Sequence, residues 1–343
     1  MSKHLLITGG CGFIGSNFVH FVRDHRPDWQ ITNLDCLSYS GNPENLADFE
    51  NDDHYTFVKG DICDAQLVRQ LIDQCDAVVH FAAESHVDRS IMDAGPFIRA
   101  NVLGTQTLLD AIRGMDTPAS KRFVHVSTDE VYGDLPLDRP DLKFTEQSPL
   151  APSSPYSASK AASDLLVRAW HHTFGLDAII TRCSNNFGPY QFPEKVIPLF
   201  VTNLVENRKV PLYGDGRNIR DWIHVDDHCE AVLIVLENGK AGEAYNIGAD
   251  NERSNLELTH AILDLMGRDE SMIEPVADRL GHDRRYAIDG GKAFAELGWR
   301  ASRSAWPEAL EATVRWYRDH QQWWKRVKSG AYRRYYRQQY ESR

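Results

Sequence analysis

The segment Gly9-Gly10-Cys11-Gly12-Phe13-Ile14-Gly15 stands between a strand-like run, Leu5-Leu6-Ile7, and a stretch that reads as a helix from about Gly12. No other feature constrains the fold as much. Glycine is needed where a backbone turns sharply and must approach a ligand's phosphates closely. The helix N-terminus that follows supplies free N–H groups and the positive end of a dipole. An acid, Asp35, ends the second strand-like run, Ile31–Leu34, at the spacing of ~20 residues where this motif expects one. Asp35 is placed to accept both ribose hydroxyls of an adenosine. No Arg or Lys follows in Cys36-Leu37-Ser38 to meet a 2′-phosphate, so NAD is expected over NADP.

Strands and helices then alternate. Thr56–Val58 leads to Asp61 and a helix over Ala65–Ile72. Ala77–Phe81 reads as a fourth strand, Phe97–Ile112 as a long helix and Phe123–Val126 as a fifth strand. A helix is predicted over Tyr156–Phe174 and a sixth strand over Asp177–Ile180. Continuously apolar strands between helices imply an α/β fold, a Rossmann-like doubly wound parallel sheet covered on both faces. The alternation weakens after Phe187, where Pro189, Pro193, Pro198 and Pro211 interrupt it. The expected division is a dinucleotide-binding domain over 1–187, with 222–250 returning to it through the strand Glu243–Ile247. Residues 188–221 and 251–343 form a smaller C-terminal substrate lobe. Its terminal helix follows Pro307 and carries Leu310, Val314 and Tyr317 at helical spacing.

A chain of 343 residues exceeds the ~250–300 at which single cores stop growing, in keeping with a large domain plus a lobe. The net charge of −11 argues against nucleic-acid binding. The basic, aromatic tail Tyr332–Arg337 is too short to offset it and reads as a packing or solvated tail. No run approaches the ~18 apolar residues of a membrane span, and the N-terminus lacks a signal-peptide pattern. The six cysteines form no CxxC pair and no zinc-like spacing, so reduced thiols, a cytoplasmic setting and no metal site are expected.

The chemistry-bearing residues follow the strand ends. Asp61 and Ile62, after the third strand, are placed to meet the adenine. Phe81, Ala82, Ala83, Glu84 and Ser85, after the fourth, are placed to line the cofactor. Tyr156 and Lys160, four apart on a predicted helix, share one face. A free tyrosine has a pKa of ~10, and a neighbouring ammonium and a positive nicotinamide ring both favour the phenolate. Tyr156 is then a base for a hydroxyl proton while hydride leaves the same carbon, and Lys160 can also bond the nicotinamide ribose. Thr128-Asp129-Glu130 ends the fifth strand. Its two carboxyl groups are surplus to a simple dehydrogenase. They suit an enzyme that oxidises a sugar and then eliminates water from it.

With these residues together, the chain resembles the extended short-chain dehydrogenase/reductase family, and within it the sugar-nucleotide 4,6-dehydratases acting on dTDP-glucose. The similarity runs through Gly9–Gly15, His80–Ser90, Thr128–Gly133, Tyr156–Lys160, Cys183–Pro189, Arg220–Trp222 and Gly281–Tyr286. The resemblance implies that Thr128 holds the sugar hydroxyl that loses its proton. It makes Asp129 the acid for the departing 6-hydroxyl and Glu130 the base at C5. It places NAD on Gly9, Gly12, Phe13, Ile14, Gly15, Asp35, Cys36, Leu37, Ser38, Asp61, Ile62, Phe81, Ala82, Ala83 and Ser85, with Tyr156, Lys160 and Asn186. It places the sugar nucleotide on Ser85, Thr128, Asn185, Lys195, Val196, Pro211, Tyr213, Arg220, Asn255, Asp278, Arg279 and His282. It also implies a homodimer. Two positions depart from the family pattern: Ala100 stands where many relatives have Thr, and Leu280 replaces a common Pro. The rival enzyme reading is an epimerase or decarboxylase with the same Tyr/Lys pair, which the Asp129-Glu130 pair disfavours. A non-catalytic NAD-sensing protein need not keep these side chains.

Overall fold

The computed structural model describes residues 3–115, 117 and 120–328; the basic tail Tyr332–Arg337 lies outside them. Its main sheet has seven strands: β1 (His4–Thr8), β2 (Gln30–Asp35), β3 (Tyr55–Lys59), β4 (Ala77–His80), β5 (Arg122–Thr128), β6 (Ala178–Cys183) and β10 (Ala244–Ile247). They pair in parallel in the order β10-β6-β5-β4-β1-β2-β3. The chain runs outward from β1 to β3, then returns to β4 on the other side of β1. Ligands of open α/β sheets bind at this reversal, beyond the carboxyl ends of the strands.

The continuous apolar runs split by side-chain parity, as a sheet buried on both faces requires. On one face Leu5, Ile7, Val79, Val124 and Ile179 pack with Phe18, Val22, Val232 and Leu236 from the helices Phe13–His25 and Val225–Asn238. On the other, Leu6, Val78, Phe123 and Ile180 pack with Val68, Ile72, Leu108 and Ile112.

A separate core forms from Phe187, Ile197, Phe200, Trp222, Leu258, Ile262, Leu310, Val314 and Tyr317. Two small sheets accompany it. The strands β7 (Asn185–Phe187), β9 (Ile219–His224) and β11 (Glu252–Ser254) make one, and β8 (Val210–Tyr213) with β12 (Ile273–Val276) makes the other. The helix Glu308–Asp319 begins one residue after Pro307 and buries Leu310, Val314 and Tyr317, as the spacing predicts.

The predicted helix over 97–112 differs in detail. The backbone is helical there, but Ile98–Gly104 forms a π-helical segment before Thr105–Arg113. The Asn101 carbonyl accepts the Thr105 hydroxyl at 2.6 Å and the Ser163 hydroxyl at 2.7 Å. Such widened turns place a residue where regular helix would not. Here the Asn101 amide bonds both the N–H and the carbonyl of Glu84, at 2.8 and 3.0 Å, and the Ser159 hydroxyl at 2.8 Å.

Candidate active site

The first turn is shaped by contacts that exclude side chains. Gly9 has φ +75°, and a Cβ there would lie 2.6 Å from the backbone of Ala82. A Cβ on Gly15 would lie 2.3 Å from the Gly9 carbonyl oxygen. No side chain caps the helix Phe13–His25 at Gly12, so its first-turn N–H groups are available to an anion. Asp35 stands opposite, nearly buried, with Oδ2 accepting the Cys11 N–H at 2.9 Å and Oδ1 the Leu37 N–H at 2.8 Å. Burial raises its pKa and those two amides oppose the rise. These features fit a dinucleotide with free ribose hydroxyls. A phosphate dianion beside the buried Asp35 carboxylate would face like-charge repulsion.

One cleft gathers Gly9, Gly12, Phe13, Ile14, Gly15, Asp35, Cys36, Ser38, Asp61, Ile62, Phe81, Ala82, Ala83, Ser85, Thr128, Tyr156, Lys160 and Asn186. Leu37, expected with them, contributes its amide to Asp35 from a left-handed backbone (φ 55°). Ala100 also lines the cleft. Asn186 is engaged internally: its amide nitrogen donates to the Ser184 carbonyl at 3.0 Å and its oxygen pairs with His228 Nδ1 at 2.8 Å. It serves as a fixed wall.

A second cavity adjoins the first, and Glu130, Asn185, Glu194 and Lys195 line both. Val196, Pro211, Tyr213, Arg220, Asn255, Arg279 and His282 are among its other lining residues. Asp278 acts from behind His282, accepting from its Nδ1 at 2.6 Å. Three basic groups therefore collect at one end of an acidic molecule, as an anionic ligand requires. Arg220 is buried, stacked 4.1 Å over the Tyr286 ring and tied to the Asp283 carbonyl at 2.8 Å.

Sequence reasoning missed Tyr39 and Glu194. Glu194 is buried, pairs with Arg89 at 3.0 Å, and reaches both cavities. The Arg89 guanidinium lies 4.1 Å over the Tyr39 ring. The adjacent Lys195 was the only sequence signal for Glu194.

Thr128 is the last residue of β5, and Asp129–Tyr132 forms a 3₁₀ turn that the Thr128 hydroxyl caps by accepting the Glu130 N–H at 3.3 Å. The adjacent acids sit in different fields. Burial, then Glu130 and Asp221, push Asp129 well above the usual carboxylate range. Burial raises Glu130 too, but Arg279, Arg220 and Lys195 pull it back. Environments that push two neighbouring acids apart separate a proton donor from a proton acceptor.

The phenol of Tyr156 departs from expectation. Burial pushes its pKa well above the ordinary value, reinforced by Glu130 and Cys183, with the Thr128 hydroxyl opposing. Loss of hydration outweighs the helical proximity of Lys160. The Lys160 ammonium donates to the Val126 carbonyl at 2.9 Å and lies 3.4 Å from His125 Nε2. Burial lowers its pKa to about 8, with Asp164 opposing.

Residues 6–307 match the family model for GDP-mannose 4,6 dehydratase. The chain is 53% identical over 331 residues to a dTDP-glucose 4,6-dehydratase of Streptomyces antibioticus, covering 95% of both chains. It is 48% identical over 362 residues to dTDP-glucose 4,6-dehydratase 1 of Escherichia coli, covering 99% of both. Among solved structures, DesIV of Streptomyces venezuelae, a dTDP-glucose 4,6-dehydratase with NAD bound, superposes with a TM-score of 0.90 at 52% identity, covering 95% of this chain and 100% of that one. A UDP-glucose 4-epimerase of Thermotoga maritima shares the fold with a TM-score of 0.82 at 28% identity, covering 92% of this chain and 99% of that one. By sequence over nearly its full length, and by a fold carrying an acid pair beside a Tyr/Lys helix, the chain belongs to the dTDP-glucose 4,6-dehydratases of the extended short-chain dehydrogenase/reductase family.

Proposed function

We infer that the protein is an NAD-dependent hydro-lyase that converts dTDP-glucose to dTDP-4-keto-6-deoxyglucose. The observation that carries this reading is the acid pair of contrasting environment, Asp129 and Glu130, beside Tyr156. NAD bound in the first cleft supplies the acceptor for the C4 hydrogen and the donor that returns it to C6. The residues do the rest. Tyr156 takes the proton of the 4-hydroxyl, with Thr128 orienting that hydroxyl. The Lys160 ammonium favours the phenolate against the burial that raises the pKa of Tyr156. A ketone at C4 makes the C5 hydrogen acidic, because the resulting anion delocalises as an enolate. Glu130, at the junction of the two cavities, removes that proton. Asp129, whose pKa burial raises, gives its proton to O6 as water departs. Each positioned acid or base contributes roughly 10²–10⁴ in rate.

Arg220, Lys195 and Arg279 are placed for the diphosphate of the nucleotide, and a guanidinium matches phosphate oxygens in a bidentate way. Exposed Ile98, Leu103 and Leu165 on neighbouring helices support pairing of two copies. An epimerase sharing this fold would leave Asp129 and Glu130 without a task. The test is incubation with dTDP-glucose. The expected product has lost one water and leaves no net NADH. A 4-epimer of unchanged mass would defeat the reading.

A further inference from the structure

Lys160 has to keep an ammonium where burial works against it, since only 3% of the residue is exposed. Its hydrogen bonds among the described residues run to the Val126 carbonyl at 2.9 Å and to His125 Nε2 at 3.4 Å. We propose that Asp164, acting across His125, is a positioning residue that holds the Lys160 ammonium at the cofactor cleft. The inference rests on the dehydratase reading, in which Lys160 favours the phenolate of Tyr156 during the first hydride transfer.

Asp164 lies one turn beyond Lys160 on the helix Pro155–Phe174, on the same face. His125 reaches between them from β5: its Nε2 is 3.4 Å from Lys160 Nζ and 3.5 Å from Asp164 Oδ1. The His125 and Asp164 side chains are fully buried. Asp164 is fixed from behind, where Oδ2 accepts from Arg182 Nε at 2.8 Å. The Arg182 guanidinium also donates to the Tyr132 hydroxyl at 2.9 Å, which donates to Asn246 Oδ1 at 2.7 Å. One buried anion therefore stands between two buried cations, and buried charges need such pairing. The titratable groups around Lys160 are Tyr156 and Asp164 on its own helix, His80 on β4, His125 on β5, and Arg182 and Cys183 on β6. Asp129 and Glu130, on the turn after β5, bear on Tyr156 instead. Burial raises the Tyr156 phenol and takes the Cys183 thiol to about 12, so both keep their protons. Burial lowers both imidazoles, His125 to about 4, so both are neutral at pH 7. Against burial, His125 and Arg182 hold Asp164 below the usual carboxylate range. Asp164 is thus the negative group of the set, and it opposes the burial that lowers Lys160 to about 8.

Without the carboxylate, Lys160 should lose its proton at a lower pH. Asp164→Asn alone would strand the Arg182 guanidinium in the core. The test variant is therefore Asp164→Asn with Arg182→Gln, its fold checked by thermal melts. NAD-loaded enzyme is mixed rapidly with dTDP-glucose, and bound NADH is followed by absorbance at about pH 6 and about pH 9. At the lower pH Lys160 is protonated with or without Asp164, and the double variant should run within about threefold of wild type. At the higher pH it should be at least about tenfold slower, the effect of one pKa unit. Arg182→Gln alone keeps the carboxylate and should keep the wild-type dependence on pH, whatever its overall rate. A deficit of equal size at both pH values in the double variant would overturn the proposal, since support of the fold alone slows both equally. So would a deficit that widens with pH in Arg182→Gln alone. Failure of wild type to form NADH at either pH would instead overturn the dehydratase reading.

Discussion

The acid and base roles proposed for two adjacent carboxyl groups rest on the difference between their neighbours. Beyond burial, Glu130 and Asp221 push Asp129 up against Arg220, while Arg279, Arg220 and Lys195 pull Glu130 down against Asp283. Replacing Asp129 by Asn and Glu130 by Gln keeps Tyr156 and Lys160. The double variant should oxidise C4 and stall, accumulating bound NADH and a nucleotide that retains its 6-hydroxyl. Absorbance after a single mixing event, with nucleotide mass, reads both. Tyr156→Phe should show no NADH and lose roughly 10²-fold or more in rate. The environment that raises the pKa of Asp129 also costs stability. Below the unfolded carboxylate value it is protonated in both states and costs nothing. As pH rises past that value the folded state alone retains the proton, and wild-type stability falls until the raised folded value is reached. Asp129→Asn should therefore melt at nearly the wild-type temperature near about pH 4 and above it near about pH 8. Thermal melts at both pH values check this, and an advantage confined to acid pH would contradict it.

The element that matters most is the helix Pro155–Phe174, because it carries Tyr156 and Lys160 in its first turns. A capping box fixes its start: the Ser154 hydroxyl accepts the Ser157 N–H, and Ser157 reaches back to the Ser154 N–H, each at 3.0 Å. The Ser90 hydroxyl accepts the Tyr156 N–H at 3.1 Å. Ser154→Ala should cost about 1 kcal/mol of stability and lower kcat more than it raises KM, since the cap lies two residues from the phenol. Denaturant unfolding and steady-state kinetics measure the two effects. The π-helical segment Ile98–Gly104 has a comparable role at β4, where Asn101 pins the backbone of Glu84 within the cofactor loop.

Across the whole molecule, the site lies between the seven-stranded sheet and the second core. Glu194, Lys195 and Asn185 face both cavities. Arg89 and Glu194, distant in sequence, join at 3.0 Å beside them. A dinucleotide that fills the first cleft binds only the folded chain. At about 100 times its Kd it should add ~2.7 kcal/mol, or roughly 4 °C in melting temperature for a chain of this length. NAD should give this shift and NADP far less at equal concentration, because a 2′-phosphate meets the buried Asp35. Parallel melts decide it, and equal shifts would remove Asp35 from the discrimination. Among the described residues, no helix is long and apolar enough to cross a membrane.

The sequence by itself determined what short-range geometry dictates. Apolar runs of strand length between helical stretches specify the parallel sheet, and the parity of Leu5, Leu6 and Ile7 assigns them to its two faces. A glycine turn between strand and helix specifies a phosphate cradle. Spacing by four puts Tyr156 and Lys160 on one face, and a position at the end of β5 brings Thr128 and Glu130 to the cleft, whereas Asp129 between them is buried and lines neither cavity. These relations are local, so a few residues suffice to express them. Only the tertiary structure decided which residues meet from afar and what state they are in. Glu194 and Tyr39 reach the cleft through packing between segments with no common motif. Leu37 and Asp278 act through a neighbour, Asp35 and His282, and spacing does not reveal that. The rise of the Tyr156 phenol, against the pull expected from Lys160, and the divergence of Asp129 from Glu130 are sums over water lost and charges gathered from many parts of the chain. Such sums exist only once the chain has folded, because hydration and distance belong to the packed molecule.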